Sequence, residues 1–276
     1  MKFDDKERSA AFVSALYHAI LGRDPDREGL ESHVERHRNG TTDEETIEAF
    51  LSSPEYCARE ITKVRHLVLE REGPEGLRSL FSLDYSPPGE AGRSYRQRVL
   101  SGFLDRYCAG PVVLDVGYTG YDNPDRKAAL AGAIGIDLDY PGYDGLTLPF
   151  ADDSVDTVFS SHCLEHIAAD HAAIQDWFRV LKVGGFIVCM VPSQALYEKR
   201  RFLPSRWNAD HKRMYTPSSF LEAFETALQV NTYRVRHLCE NDTGFNYALG
   251  PENHSDGAYE IELVIEKIVP PSWSFC

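Results

Sequence analysis

Two segments decide the fold of this chain: LPFADDSVDTVFSSHCLEHI, residues 148–167, and FRVLKVGGFIVCMVP, residues 178–192. Val155 to Ser160 is rich in β-branched and aromatic residues and follows a polar turn, which predicts a short buried strand. Ala168 to Leu181 places apolar side chains at helical spacing, and Gly184-Gly185 then turns the chain into a second strand, Gly185 to Val191. Strand, helix and strand in that order make a parallel pair joined by a crossover.

The same alternation continues on both sides. Upstream, Pro111 to Val116 reads as a strand, Lys127 to Ala131 as a remnant helix and Ala133 to Asp137 as a second strand. Downstream, Ser218 to Leu228 is helical, and Val230 to Cys239 with Tyr259 to Ile268 supplies two late strands. The expected fold class is therefore α/β, with a Rossmann-like, mostly parallel sheet that ends in an antiparallel C-terminal pair. Only the 10 residues 138–147 separate Asp137 from Leu148, too few for a further helix and strand, so this edge of the sheet is expected to be trimmed.

Residues 9–70 have a different texture. Phe12, Leu16 and Ile20 recur at four-residue spacing, Gly22-Arg23-Asp24-Pro25 breaks the pattern, and Leu30, Val34 and His37 resume it. Asn39-Gly40 is a helix stop, Thr42 with Glu45 forms a capping box, and Ser53-Pro54 restarts a helix. The expected organisation is a small all-α module over 1–71, a loop-rich linker over 72–94 carrying Gly73-Pro74 and Pro87-Pro88-Gly89, an α/β domain over 95–270 and a tail over 271–276. Val99, Phe103 and Leu104 mark the helix that opens the second domain.

The chain has 276 residues, 42% of them hydrophobic and 26% charged, which suits a globular protein with a sizeable core. Its formal charge of −14 repels a phosphate backbone and argues against nucleic acid as a partner. The apolar runs fall well short of the roughly 20 residues that span a bilayer, so no transmembrane segment is expected. The charged start MKFDDKER is not a secretory signal, which predicts a cytoplasmic protein. Six cysteines without a Cys-x-x-Cys pair predict reduced thiols rather than a zinc ribbon or a disulfide framework.

Open α/β sheets bind ligands beyond the carboxyl ends of their strands. The first such end is LDVGYTGY, residues 114–121, with glycines at 117 and 120 that permit close backbone approach. The second is GIDLD, residues 135–139, where Asp137 can accept hydrogen bonds from ribose hydroxyls. The G-x-G-x-x-G spacing of a dinucleotide fingerprint is absent.

Taken together, residues 148–167 and 178–192 resemble the class I S-adenosylmethionine-dependent methyltransferases, in the broad group of ubiquinone and small-molecule methylases. The resemblance spans roughly residues 95–270. It implies S-adenosylmethionine as cofactor, with Asp115, Gly117 and Tyr118 facing its methionine part and Asp137 with Leu138 holding the ribose. It also implies that Asp144, Gly145 and Leu146 border the adenine and that Ser161 and His162 lie near the sulfonium. The family's D-x-G-x-G-x-G appears here as DVGYTGY, with Thr119 and Tyr121 where glycines are expected. Residues 16–30, LYHAILGRDPDREGL, with the NGTT and FLSSPEY that follow, resemble a DUF-type helical module found in bacteria beside glycan-handling and surface proteins. That resemblance implies packing or docking of a protein partner, not catalysis.

Methyl transfer to a hydroxyl needs a base, and His162, His166 and His211 are the candidates. The first two follow the strand at 155–160 directly, and His211 lies in the polar stretch WNADHKRMYTP, residues 207–217. His162-x-x-Glu165-His166 also has the spacing of metal ligands on a helical face, an alternative to the metal-free site expected here. Tyr197, Arg200, Arg201, Arg206, Trp207, Lys212, Arg213 and Tyr215 fall within 19 residues and suit a saccharide or anionic acceptor. The expected activity is O-methylation of a saccharide or surface-glycan precursor, or of another small-molecule acceptor. The rivals are a non-catalytic adapter of a glycan-assembly complex and a nicotinamide oxidoreductase.

Overall fold

The computed structural model describes residues 5–121 and 127–273. Residues 274–276 of the expected tail, with Cys276, lie outside the described residues. The chain forms two compact units that divide between Lys63 and Val64.

The first unit is helical: α1 (Asp5–Leu16), a single wide turn (Tyr17–Leu21), α2 (Arg27–Arg38), α3 (Asp43–Leu51) and the first part of α4 (Pro54–Arg78). Its helix starts are written in the sequence. The Asp26 carboxylate accepts from the Gly29 N–H at 2.7 Å to cap α2, and Thr42 and Glu45 exchange hydrogen bonds in a capping box at α3. Val13, Leu16, Tyr17, Val34 and Phe50 make its core, with Tyr17 edge-on to Phe50. The Arg23 fork closes on Glu55 at 2.6 and 2.9 Å.

The second unit holds a six-stranded sheet of β1 (Val113–Val116), β2 (Ile134–Ile136), β3 (Val155–Ser161), β4 (Leu181–Pro192), β5 (Tyr233–Asn241) and β6 (Glu260–Lys267). The order is β2-β1-β3-β4-β6-β5; the first four are parallel, and β6 runs antiparallel between β4 and β5. The helices are α5 (Gly92–Leu100), α6 (Phe103–Tyr107), α7 (Asp170–Val180) and α8 (Pro217–Ala227), the last opened by a Thr216–Ser219 capping box with Pro217 at its first position. The sheet is the expected Rossmann-like one, and between β2 and β3 the described chain forms neither helix nor strand.

Two expectations change. The helical module is expected over 1–71 and a linker over 72–94, whereas α4 runs on to Arg78, Arg65 and Leu77 are buried, and Phe81 packs into the core beside Tyr95, Leu104 and Leu130. Arg65 donates to the carbonyls of Cys108, Gly110 and Gly132, tying together the approaches to β1 and β2. Lys127 to Ala131, expected as a remnant helix, is an irregular turn. Asp115 imposes it: its carboxylate accepts from the backbone N–H groups of Ala129 at 2.5 Å and Leu130 at 3.4 Å, so these amides bond to a strand instead of to a helical carbonyl.

Candidate active site

The carboxyl ends of β1, β2 and β3 converge on a cavity of about 590 Å³, at the point where strand order switches from β2 to β3 on either side of β1. It is lined by Gly117 after β1, Asp137, Leu138, Gly145 and Leu146 after β2, and His162 after β3. Gly117 adopts φ of +94°, and a side chain there would run into Cys163. Its N–H donates to the Ile136 carbonyl at 3.0 Å, which fixes the ends of β1 and β2 together. The Asp137 carboxylate accepts from the Leu138 N–H at 2.7 Å. Asp144 accepts from the Leu146 and Thr147 amides at 2.9 and 2.6 Å, and these bonds hold its pKa below the usual carboxylate range.

Of the residues expected at the cofactor, Gly117, Asp137, Leu138, Asp144, Gly145, Leu146 and His162 line this cavity. Asp115, Tyr118 and Ser161 are not among its lining residues. Asp115 turns to the 129–130 amides, and burial pushes its carboxyl up to about 7. The Tyr118 ring lies against Gly135, where any side chain would strike it, and packs on Tyr121. Tyr121 in turn donates its hydroxyl to the Gly135 carbonyl at 2.9 Å. In the ladder, the Ile136 carbonyl points to β1, so that of Gly135 points to the open edge. Tyr121, which stands where a glycine is expected, and Tyr118 therefore cover the edge left by the trimmed strand, in a chain of rings continued by Tyr140 and Phe150.

A second chamber of about 260 Å³ shares Gly117, His162 and His166 with the first and adds Glu90, Thr119, Lys127, Ser161, Glu165, Tyr197, Asn208 and His211. The three candidate histidines thus meet, His162 and His166 between the chambers and His211 in the smaller. His162 sits at φ of +55°, a sparsely populated conformation that swings its ring off the end of β3, with its N–H held by the Met190 carbonyl at 3.0 Å. Leu164 to His166 is a single tight turn, so the helical face expected for His162, Glu165 and His166 does not form. The backbone N–H of Lys212 donates to the Glu165 carbonyl at 2.8 Å and brings His211 alongside.

Each histidine leans on a carboxylate. His162 Nε2 is 3.2 Å from Glu260, His166 Nδ1 is 3.0 Å from Asp210, and His211 Nδ1 is 2.9 Å from Glu198. Burial opposes a charge on His162, but Glu260 and then Glu165 outweigh it and raise its basicity. Burial likewise favours the neutral acid at Glu260, yet Arg98 at 2.7 Å, with His162, holds it down to about 2. Glu165 is the exception: it is 1% exposed, neither carboxylate oxygen has a hydrogen-bond partner, and burial raises its proton affinity against the pull of the three histidines. Glu198, Asp210 and Glu260 carried no sequence signal, because each is defined only by a contact with a distant histidine.

The family described as "Methyltransferase domain" matches residues 104–189, and the domain of unknown function DUF4214 matches residues 2–59. Residues 104–189, on the Rossmann-like sheet described above, are thus similar to a methyltransferase domain. An uncharacterized methyltransferase of Mycobacterium tuberculosis is 39% identical over 75 residues, which are 26% of this chain and 30% of that protein. The chain therefore spans less than a third of the length of that curated relative. Among solved structures, a SAM-dependent methyltransferase of Archaeoglobus fulgidus shares 15% identity with a TM-score of 0.42, covering 63% of this chain and 94% of that one. Another from Aquifex aeolicus shares 14% with a TM-score of 0.37, covering 76% and 98%.

Proposed function

We propose that the chain transfers a methyl group from S-adenosylmethionine to a hydroxyl of a saccharide or surface-glycan precursor. The observation that carries this reading is the pair of joined chambers: a cofactor-sized cavity at the strand ends opens, at Gly117, His162 and His166, on a smaller one lined by titratable side chains. The residues present fit the cofactor. The larger cavity falls within the usual range of small-molecule sites, roughly 300–1,000 Å³. Gly117 presents bare backbone to the cavity, close against Cys163. When bound, S-adenosylmethionine supplies a methyl group on a positively charged sulfur, already activated for displacement.

The chain's own residues bind, orient and accept a proton. Asp137 accepts hydrogen bonds from ribose hydroxyls, and Leu138, Tyr143, Leu146 and Ile167 offer apolar surface to a base. In the smaller chamber, Tyr197 presents an aromatic face and Glu90, Lys127 and Asn208 present polar atoms, a combination suited to a ring bearing several hydroxyls. The proton of the attacking hydroxyl passes to the histidine group, whose carboxylate partners stabilise the charge it gains. Residues 1–63 are assigned to docking a protein partner.

The test is a labelled-methyl assay with monosaccharides and nucleotide sugars as acceptors. A methyl ether is expected, and its formation is expected to require Asp137 and His211. Methylation confined to amine acceptors would reject the hydroxyl assignment. Tight NADH binding with none for S-adenosylhomocysteine would reject the class of activity.

A further inference from the structure

Glu165 is a buried carboxylate with no hydrogen bond to either oxygen, and three imidazoles face it. From Oε1 the separations are 3.8 Å to His166 Nε2, 3.9 Å to His211 Nε2 and 3.9 Å to His162 Nδ1. These are too long for hydrogen bonds. Two ligands of one tetrahedral ion with bonds of about 2.1 Å lie roughly 3.4 Å apart, so shifts of about half an ångström would bring each Glu165–histidine pair to that spacing.

The outward nitrogens strengthen the case. Asp210 and Glu198, as carboxylates, can only accept, so the neutral rings of His166 and His211 carry their N–H on Nδ1 and turn the Nε2 lone pair toward Glu165. A carboxylate behind each imidazole is the usual support of a metal-binding histidine, since it fixes the tautomer and raises ligand basicity. Glu198 is itself anchored by the Ser205 hydroxyl at 2.9 Å and the Arg206 N–H at 3.2 Å, so the His211 ring is oriented from behind. In these tautomers the Nε2 atoms of His166 and His211 and the Glu165 carboxylate are electron-pair donors turned toward one another. A proton can serve one of them at a time, whereas a cation serves all.

We infer that Glu165, His166 and His211 bind a divalent transition-metal ion of the zinc, cobalt or manganese kind, with its open positions facing the smaller chamber. The three ligating atoms lie within 4.8 Å of one another, and all three residues line that chamber. Two imidazole nitrogens and one carboxylate oxygen select borderline divalent ions over calcium or magnesium, which prefer all-oxygen shells. His162 stands next to the open side. The site deepens the methyl-transfer reading, on which its role rests: a hydroxyl bound to such an ion loses its proton more readily. Ion binding itself is independent of that reading.

The experiment is titration of metal-free full-length protein with Co(II), followed by its visible absorption bands, with Zn(II) as competitor. One ion per chain is expected to bind, with Zn(II) displacing Co(II). Glu165→Gln and His166→Ala are expected to abolish the bands, and Glu198→Gln to weaken binding by about 10- to 100-fold. S-adenosylhomocysteine titrated into each variant reports whether the fold and the larger cavity are intact. Wild-type protein that binds S-adenosylhomocysteine but no Co(II) or Zn(II) overturns this site and leaves the methyltransferase reading standing. Ion binding without S-adenosylhomocysteine binding does the reverse. Bands unchanged in Glu165→Gln and His166→Ala place the ion elsewhere and also overturn the site.

Discussion

The two chambers that meet at Gly117, His162 and His166 are built on different principles. The larger is made mainly by the fold: backbone at the ends of β1, β2 and β3, the acids Asp137 and Asp144 in the turns after β2 with Asp210 at its rim, and apolar surface supplied by short turns. The smaller is made by long-range pairing of titratable side chains, His162 with Glu260 across 98 positions and His166 with Asp210 across 44. A sheet of this topology provides the first wherever it occurs, whereas the second depends on what the loops after β3 and β4 bring together. Cofactor class therefore follows from the first and acceptor chemistry from the second.

The comparison can be tested by variants that touch one chamber and spare the other. His211→Ala is expected to cost the most, lowering turnover by about 10²- to 10⁴-fold whether the ring takes the proton itself or holds the proposed ion, with affinity for S-adenosylhomocysteine unchanged. Steady-state kinetics beside calorimetry would check it, and equal losses in both would merge the chambers into one.

Asp115 props the 127–133 turn, which brings Lys127 and Ala129 to the smaller chamber. Its folded pKa is raised from 3.8 to about 7, so folding favours its protonated form. The stability it contributes is present in full below about pH 4 and is lost as the pH rises to about 7, a change on the order of 2–4 kcal/mol. Asp115→Asn is expected to flatten melting temperature against pH over that window relative to wild type. Parallel curves would show that Asp115 is ionised in the folded chain throughout.

Tyr121→Phe is expected to have the smallest effect, a loss of about 1 kcal/mol from the hydrogen bond that covers the open edge at Gly135. Denaturant titration measures it. Cofactor affinity is expected to stay within about twofold, because neither Tyr118 nor Tyr121 lines the larger cavity. A large affinity loss would mean that this edge is part of the site.

The difference between the chambers also sets how much was legible in the sequence. Gly117 and Asp137 can be read because strand ends carry local signatures, whereas Gly145 follows only from the resemblance, and a segment too short for another strand announces the trimmed edge. Asp115, which the resemblance places at the methionine part of the cofactor, turns its carboxylate to the 129–130 amides, and the motif has the same letters in either arrangement. The spacing of His162, Glu165 and His166 suggested one helical face, but the left-handed turn at His162 and the tight turn after it replaced that face with a cluster completed by His211. Glu198 and Glu260 could not be read at all. Glu260 and Glu262 look like the polar face of an edge strand, and only the burial of Arg98 against both, at 2.7 and 3.0 Å, makes them interior residues.

The most direct test of the central claim is calorimetric titration of S-adenosylhomocysteine into wild-type protein and Asp137→Ala. The account predicts saturable binding of one ligand per chain by the wild type, weakened at least about tenfold by loss of a charge-assisted hydrogen bond in the variant. No heat with the wild type, or equal affinity in both proteins, would contradict it.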